Sequence, residues 1–170
     1  KKGANLRHTV APQFAFKPGH QVHEIVFILR RLVELALEWD IPIWRLDGDI
    51  YKACDNTNHT LVLEALRLKK SGELLAASVL REIPETRCRV LLCPHEQSEP
   101  FSRSRALWQG DPIAPHLFNI TLDRVAVRFE ALAKRHKWGI PIHNGSTTIL
   151  VCVLLFADNY WIVASSPSQL

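Results

Sequence analysis

Apolar positions recur with two distinct periods along this chain, and the places where the period changes outline its elements. From about His20 to Trp39, residues Ile25, Ile28, Leu29, Leu32, Ala36 and Trp39 return every three or four positions, with Arg30, Arg31, Glu34 and Glu38 mostly elsewhere, which predicts a long amphipathic helix. Pro42 then introduces Ile43 to Ile50, a short β-rich run with acids at its end, read as a strand with an acidic tip. Asp55-Asn56-Thr57-Asn58 are helix-capping types before an apolar-periodic segment from His59 to Lys70 that Gly72 can end, and a second short helix runs to Pro84. Arg87 to Cys93 has strand character, and Pro94 to Arg105 reads as a turn or hairpin return.

Gly110-Asp111-Pro112 predicts the next helix start, because Asp111 can cap and Pro112 can occupy the first helical position; the stripe Leu117, Val125, Phe129 and Leu132 carries it to about Lys137, where Gly139 and Pro141 stop it. Thr147 to Phe156 and Tyr160 to Ala164 read as two strands around Ala157-Asp158-Asn159, a tight antiparallel hairpin with Asp158 in its turn. One α/β or α+β unit is expected, with no internal repeat or linker.

Composition narrows the class. In 170 residues, 47% are apolar and 22% charged, which fits a globular chain and excludes disorder or collagen-like repetition. The longest apolar run, Ile149 to Phe156, is far too short to span a bilayer, so no membrane partner is expected. The four cysteines, Cys54, Cys88, Cys93 and Cys152, form no CxxC pair, which points to a reduced, intracellular setting and not to secretion, with nucleus and cytoplasm undistinguished. With no Met and Lys-Lys-Gly in front, the sequence reads as an internal piece of something longer. His20-x-x-His23 and Cys88-x4-Cys93-x-His95 fit a helix face and a loop as well as they fit metal ligands.

The net charge of +4 is modest, but its distribution is uneven. Residues 1–23 carry four basic side chains and three histidines with no acid, a cationic arm or a solvated surface. Residues 138–170 hold a single charged side chain, Asp158, and a lone carboxylate in an apolar stretch needs compensation, which a metal ion can supply. Strands in one sheet lie about 4.8 Å apart, so if the strand ending at Asp49 neighbours the hairpin of Asp158, both carboxylates can ligate the same divalent ions. Asp47 shares the Asp49 face, roughly 6.6 Å back, as an auxiliary acid or as a surface acid paired with Arg45.

Four ordered segments extend this picture: Gln13-Phe14-Ala15-Phe16-Lys17-Pro18-Gly19, then Asp49-Ile50-Tyr51-Lys52-Ala53-Cys54-Asp55, then Gln109-Gly110-Asp111-Pro112-Ile113-Ala114-Pro115-His116-Leu117-Phe118, then Phe156-Ala157-Asp158-Asn159. Together they resemble the motifs of reverse transcriptases of the non-LTR retrotransposon and group II intron branch, whose patterns run QxGFRPG, DxxKAFD, QGDPxSPxLF and F/YADD.

The resemblance implies a right-hand polymerase palm with partial fingers, an antiparallel catalytic hairpin packed on helices, and no thumb. About 1–40 and 60–105 would be fingers-like or connecting, and 41–58 and 106–170 palm. It implies an RNA-directed DNA polymerase, a nucleotidyltransferase that uses two Mg²⁺ ions, or Mn²⁺ in their place, with an RNA template, a DNA primer, deoxynucleoside triphosphates and the missing fingers and thumb of a parent chain as partners. Asp49 and Asp158 match the metal-binding carboxylates, the Ile50 carbonyl an additional ligand, Gln109, Gly110 and Lys52 nucleotide-binding positions, and Cys54 the position of an aromatic sugar gate. Two departures stand out. Asn159 replaces the second acid of FADD, a weak ligand that removes one charge, and Cys54 replaces an aromatic ring; both also fit a decayed, inactive copy that keeps the fold as a nucleic-acid-binding or structural remnant. A further reading, with Asp47-Gly48-Asp49 as the nucleophile motif of a haloacid dehalogenase-type phosphatase, needs a parallel sheet.

Overall fold

The structure is a computed structural model describing residues 12–69, 73–83, 87–93, 96–144 and 147–170. It is a mixed helix and strand chain that divides into two compact units, residues 1–49 with 125–170 and residues 50–124.

The first unit opens with α1 (Val22–Trp39). Its start is held by Glu24, whose Oε2 accepts from the Gln21 backbone N–H (3.5 Å) and meets His20 Nδ1 (2.8 Å), and its end by Asp40 in the left-handed region (φ 53°). After Pro42 comes β1 (Trp44–Asp49), the edge strand of an antiparallel sheet in the order β1, β9 (Asn159–Ala164), β8 (Val153–Phe156). A separate hairpin pairs β6 (Ile140–Asn144) with β7 (Thr147–Val151). Leu32 of α1, Ile140 of β6 and Val163 of β9 form the buried centre, flanked by Ile28, Leu29, Ile43, Ile142 and Val151.

The second unit holds the short α2 (Ala53–Asn56), α3 (His59–Leu68) and α4 (Glu73–Glu82), then two-stranded pairs made by β2 (Arg87–Cys88) with β5 (Phe101–Ser102) and β3 (Leu91–Cys93) with β4 (Glu96–Gln97). Asn58 caps α3 by accepting from the Thr60 N–H (2.8 Å). Ala53, Val62, Leu66, Val79, Leu107, Ala114, Leu117 and Phe118 are its core. The boundary between the units falls within α5 (Ala114–His136).

Several boundaries differ from the sequence pattern, each for a local reason. The apolar run 147–156 is two strands, because the chain changes partners at the buried Cys152, whose carbonyl accepts from the Val163 N–H (3.0 Å). Pro141, expected only to stop a helix, lies inside β6, which among the described residues pairs with β7 alone; an edge strand tolerates the missing N–H. Helix α5 begins at Ala114 and not at Asp111, since Asp111 first caps a turn, its Oδ1 accepting from Ile113 N–H at 3.0 Å. Helix α2 goes unmarked by any apolar period, being a single turn. Segment 87–93 breaks into two short strands with different partners. The cationic arm up to residue 11, the helix stop at Gly72, and Pro84, Pro94 and His95 lie outside the described residues.

Candidate active site

The acidic tip of β1 meets the β8–β9 turn. Strand register pairs Asp49 with Asn159, Gly48 with Tyr160 and Asp47 with Trp161, while Phe156 pairs with Asn159 across the hairpin, leaving Ala157-Asp158 as a two-residue turn. Directly opposed residues have Cα atoms about 5 Å apart and one further residue adds at most about 3.8 Å, so the Asp49 and Asp158 backbones lie within roughly 9 Å of each other. Asp49 is exposed and Asp158 half-buried. The two carboxylates, more than a hundred residues apart in sequence, therefore share one end of one sheet.

Three neighbours shape that end. The Asn159 Nδ2 donates to Asp158 Oδ1 (3.3 Å), so the two adjacent side chains at the turn touch. Gly48 leaves room for the Tyr160 ring: a Cβ at position 48 would collide with its far edge. Asp47, on the Asp49 face, is engaged by Arg45, Nε to Oδ1 at 2.8 Å.

The turn itself is bracketed by Gln13. Its Nε2 donates to the Ala157 carbonyl (3.1 Å), while its Oε1 accepts from the Ala157 N–H (3.0 Å) and the Ala15 N–H (3.0 Å). The main chain reinforces this, with Phe14 N–H donating to Leu155 O (2.9 Å) and Leu155 N–H to Pro12 O (2.8 Å), a parallel bridge alongside β8.

The remaining sequence-predicted positions belong to the second unit. Ile50 packs half-buried against its core, as does Cys54 in α2, whose carbonyl accepts from the Leu107 N–H (2.9 Å) two residues before Gln109. Lys52, exposed and in the left-handed region (φ 47°), precedes α2 with its ammonium over the Tyr51 ring at 5.4 Å. Gln109 and Gly110 are exposed in the turn before α5, Gly110 with φ 87°. Beside them Arg103 lies over the Trp108 ring at 5.1 Å. No group of three or more His, Cys, Asp or Glu able to hold a metal comes together among the described residues. Two carboxylates and an amide oxygen are nonetheless hard donors of the kind Mg²⁺ takes, since that ion is commonly held by one or two carboxylates plus substrate phosphates.

Comparison with known proteins sets this geometry in context. No family model matches the chain. Over 102 residues it is 28% identical to the Retrovirus-related Pol polyprotein from type-1 retrotransposable element R2 of Popillia japonica, covering 55% of this chain and 17% of that protein. Its structure is similar to apo telomerase from Candida tropicalis, with TM-score 0.65 at 11% identity over 94% of this chain and 29% of that one. The same telomerase truncated from its C-terminal domain gives TM-score 0.62 at 13% identity, covering 88% and 30%. The chain carries a reverse transcriptase-like domain. It spans less than a third of the length of each of these proteins.

In this reverse transcriptase-like domain the residue that sequence reasoning passed over is Gln13. It belongs to the first of the four motifs, yet nothing local indicates that its carboxamide reaches a turn 144 positions away. Gly48 is a second such residue: within a predicted strand nothing local gives it a role, and only the register with Tyr160 reveals a steric one. The sheet around Asp49 is antiparallel, so the phosphatase reading of Asp47 and Asp49 loses the parallel neighbour it requires. No helix among the described residues is long and apolar enough to cross a membrane.

Proposed function

We propose that the chain is the palm, with part of the fingers, of an RNA-directed DNA polymerase that extends a DNA primer on an RNA template from deoxynucleoside triphosphates. The palm would comprise 41–58 and 106–170, and 1–40 with 60–105 would be fingers-like or connecting. The observation that carries the reading is the β1–β9 register, which sets Asp49 opposite Asn159 and next to the turn of Asp158. Asp49 and Asp158, with the Ile50 carbonyl and weakly the Asn159 amide oxygen, would hold two Mg²⁺ or Mn²⁺ ions. When bound, such ions supply an activated 3′-hydroxyl and a stabilised leaving group.

This chain's own residues do the holding and the selecting. Asn159 donates to Asp158 and so keeps that carboxylate oriented. By motif, Gln109, Gly110 and Lys52 bind the incoming nucleotide, with Gly110 free to take the positive φ that close backbone approach requires. Cys54 takes the sugar-gate position, where a thiol leaves more room for a 2′-hydroxyl than an aromatic ring does. The grip on the duplex and the remaining triphosphate contacts fall to fingers and thumb segments of a longer parent chain.

One observation favours a second reading, a nucleic-acid-binding remnant without catalysis: at the tip, Asn159 offers an N–H where a second carboxylate would add charge for a dication. A Mg²⁺ titration, followed by primer extension on an RNA template with the parent chain, separates the two. Saturable binding and extension, both abolished by Asp49→Ala and Asp158→Ala, support the polymerase. Absence of binding supports the remnant.

A further inference from the structure

We infer that Gln13 is a positioning residue whose carboxamide sets the turn carrying Asp158, and through it the cation affinity of the site. The inference rests on the polymerase reading for its metal and on the geometry alone for its turn.

The turn needs an external hold. A two-residue hairpin loop with positive φ at its first position is a place for glycine, but here that residue is Ala157, at φ 55°. A Cβ makes that conformation unfavourable by itself, so it persists only where the surroundings over-determine it. Gln13 supplies that determination. Gln13 is about 1% exposed, and both polar ends of its carboxamide reach Ala157, donating to its carbonyl and accepting from its N–H. This reproduces with a side chain the paired bonds that a neighbouring strand residue would make.

The consequence reaches the next residue. Fixing both the N–H and the C=O of Ala157 fixes the plane of the peptide that leads into Asp158. Asp158 thereby inherits its place beside Asp49 from a residue that touches neither carboxylate. The amide of Ala15, bonded to the same Oε1, and the two main-chain bonds between 12–14 and Leu155 anchor the carboxamide in turn, so its position does not depend on solvent.

The test uses the full 170-residue chain in four forms: wild type, Gln13→Met, Gln13→Met with Ala157→Gly, and Leu32→Ala as a core variant of lowered stability away from the turn. Methionine keeps the length and burial of glutamine without its hydrogen bonds. Two readouts are taken, amide hydrogen exchange at Ala157 and Mn²⁺ affinity by titration, with Asp49→Ala and Asp158→Ala defining the site-specific part of the binding.

Gln13→Met should speed Ala157 exchange at least about tenfold and weaken Mn²⁺ binding by about tenfold or more, and Ala157→Gly should restore most of the affinity, since glycine adopts the turn unaided. Leu32→Ala should leave the affinity within about twofold of wild type. Unchanged exchange, unchanged affinity, or failure of Ala157→Gly to rescue would overturn the positioning role. If the wild type shows no binding that depends on Asp49 and Asp158, the polymerase reading fails and the metal half of the inference with it; the exchange data then decide separately whether Gln13 holds the turn.

Discussion

Replacing Gly48 by alanine should destabilise the protein only while Tyr160 is present. Gly48 lies in β1 opposite Tyr160, and its φ is not in the left-handed region, so alanine can adopt the backbone as it stands. The obstacle is the ring. A Cβ on residue 48 would fall inside contact distance of Cζ and the hydroxyl oxygen of Tyr160, and its distance to Cε1, the farthest of the three atoms, would be 2.7 Å, where ordinary contact begins at 3.4 Å. The ring must therefore recede by at least the difference, 0.7 Å at Cε1 and more at its tip. Because the atoms displaced are the tip of a half-buried side chain, the cost lies at the low end of the overpacking range, about 1 kcal/mol, which in a chain of this size lowers Tm by roughly 2–4 °C.

With Tyr160→Ala the obstacle disappears. Alanine then gains over glycine the roughly 0.5–1 kcal/mol that glycine costs within a strand, so the sign of the substitution reverses. Thermal unfolding of the wild type, the two single variants and the double variant, followed by circular dichroism, measures the coupling. Equal destabilisation by Gly48→Ala in both backgrounds, or none in either, would refute the steric argument.

Four further outcomes follow from the structure. Burial pushes the Cys152 thiol from its usual 9.0 up to about 11, with the nearby Glu130 charge adding to the shift, so at pH 8 its thiolate fraction is roughly a hundredfold below that of an ordinary thiol, and mass spectrometry after brief alkylation should find exposed Cys93 modified long before it. Because the folded value lies above the unfolded one, Cys152 contributes stability below pH 9.0 that is lost as pH rises towards 11, and Cys152→Ala should flatten the fall in Tm across that window. Lys69→Met strips the ammonium, 3.1 Å away, from the buried Asp123 carboxylate and should cost about 1–2 kcal/mol in urea unfolding, low for such a pair because Lys69 is half exposed; adding Asp123→Asn should recover part of it. Asn159→Asp returns a charge to the sheet end, and at about 1 kcal/mol per charge pair at 4 Å in a watery dielectric, doubled for a dication, it should tighten Mn²⁺ binding roughly tenfold or more by titration, an unchanged affinity counting against a cation at this site.

Much of this molecule was legible in its amino-acid order, because local signals act over a few residues. The stripe of Ile25 and Leu32 marked α1, Asn58 marked the start of α3, and the two strand-like runs separated by Ala157-Asp158-Asn159 marked a tight turn, since capping, helical period and turn chemistry are all short-range. The four motifs gave the candidate acids and their order. What the tertiary structure alone decided are pairings between distant segments: that β9 lies between β1 and β8, that strand 147–156 changes partner at Cys152, that Gly48 is empty for the sake of the Tyr160 ring, and that Gln13 holds a turn it precedes by 144 residues. An apolar run reads the same whichever strand it pairs with, and a glutamine reads as surface until its carboxamide meets a peptide that only the folded chain brings within reach.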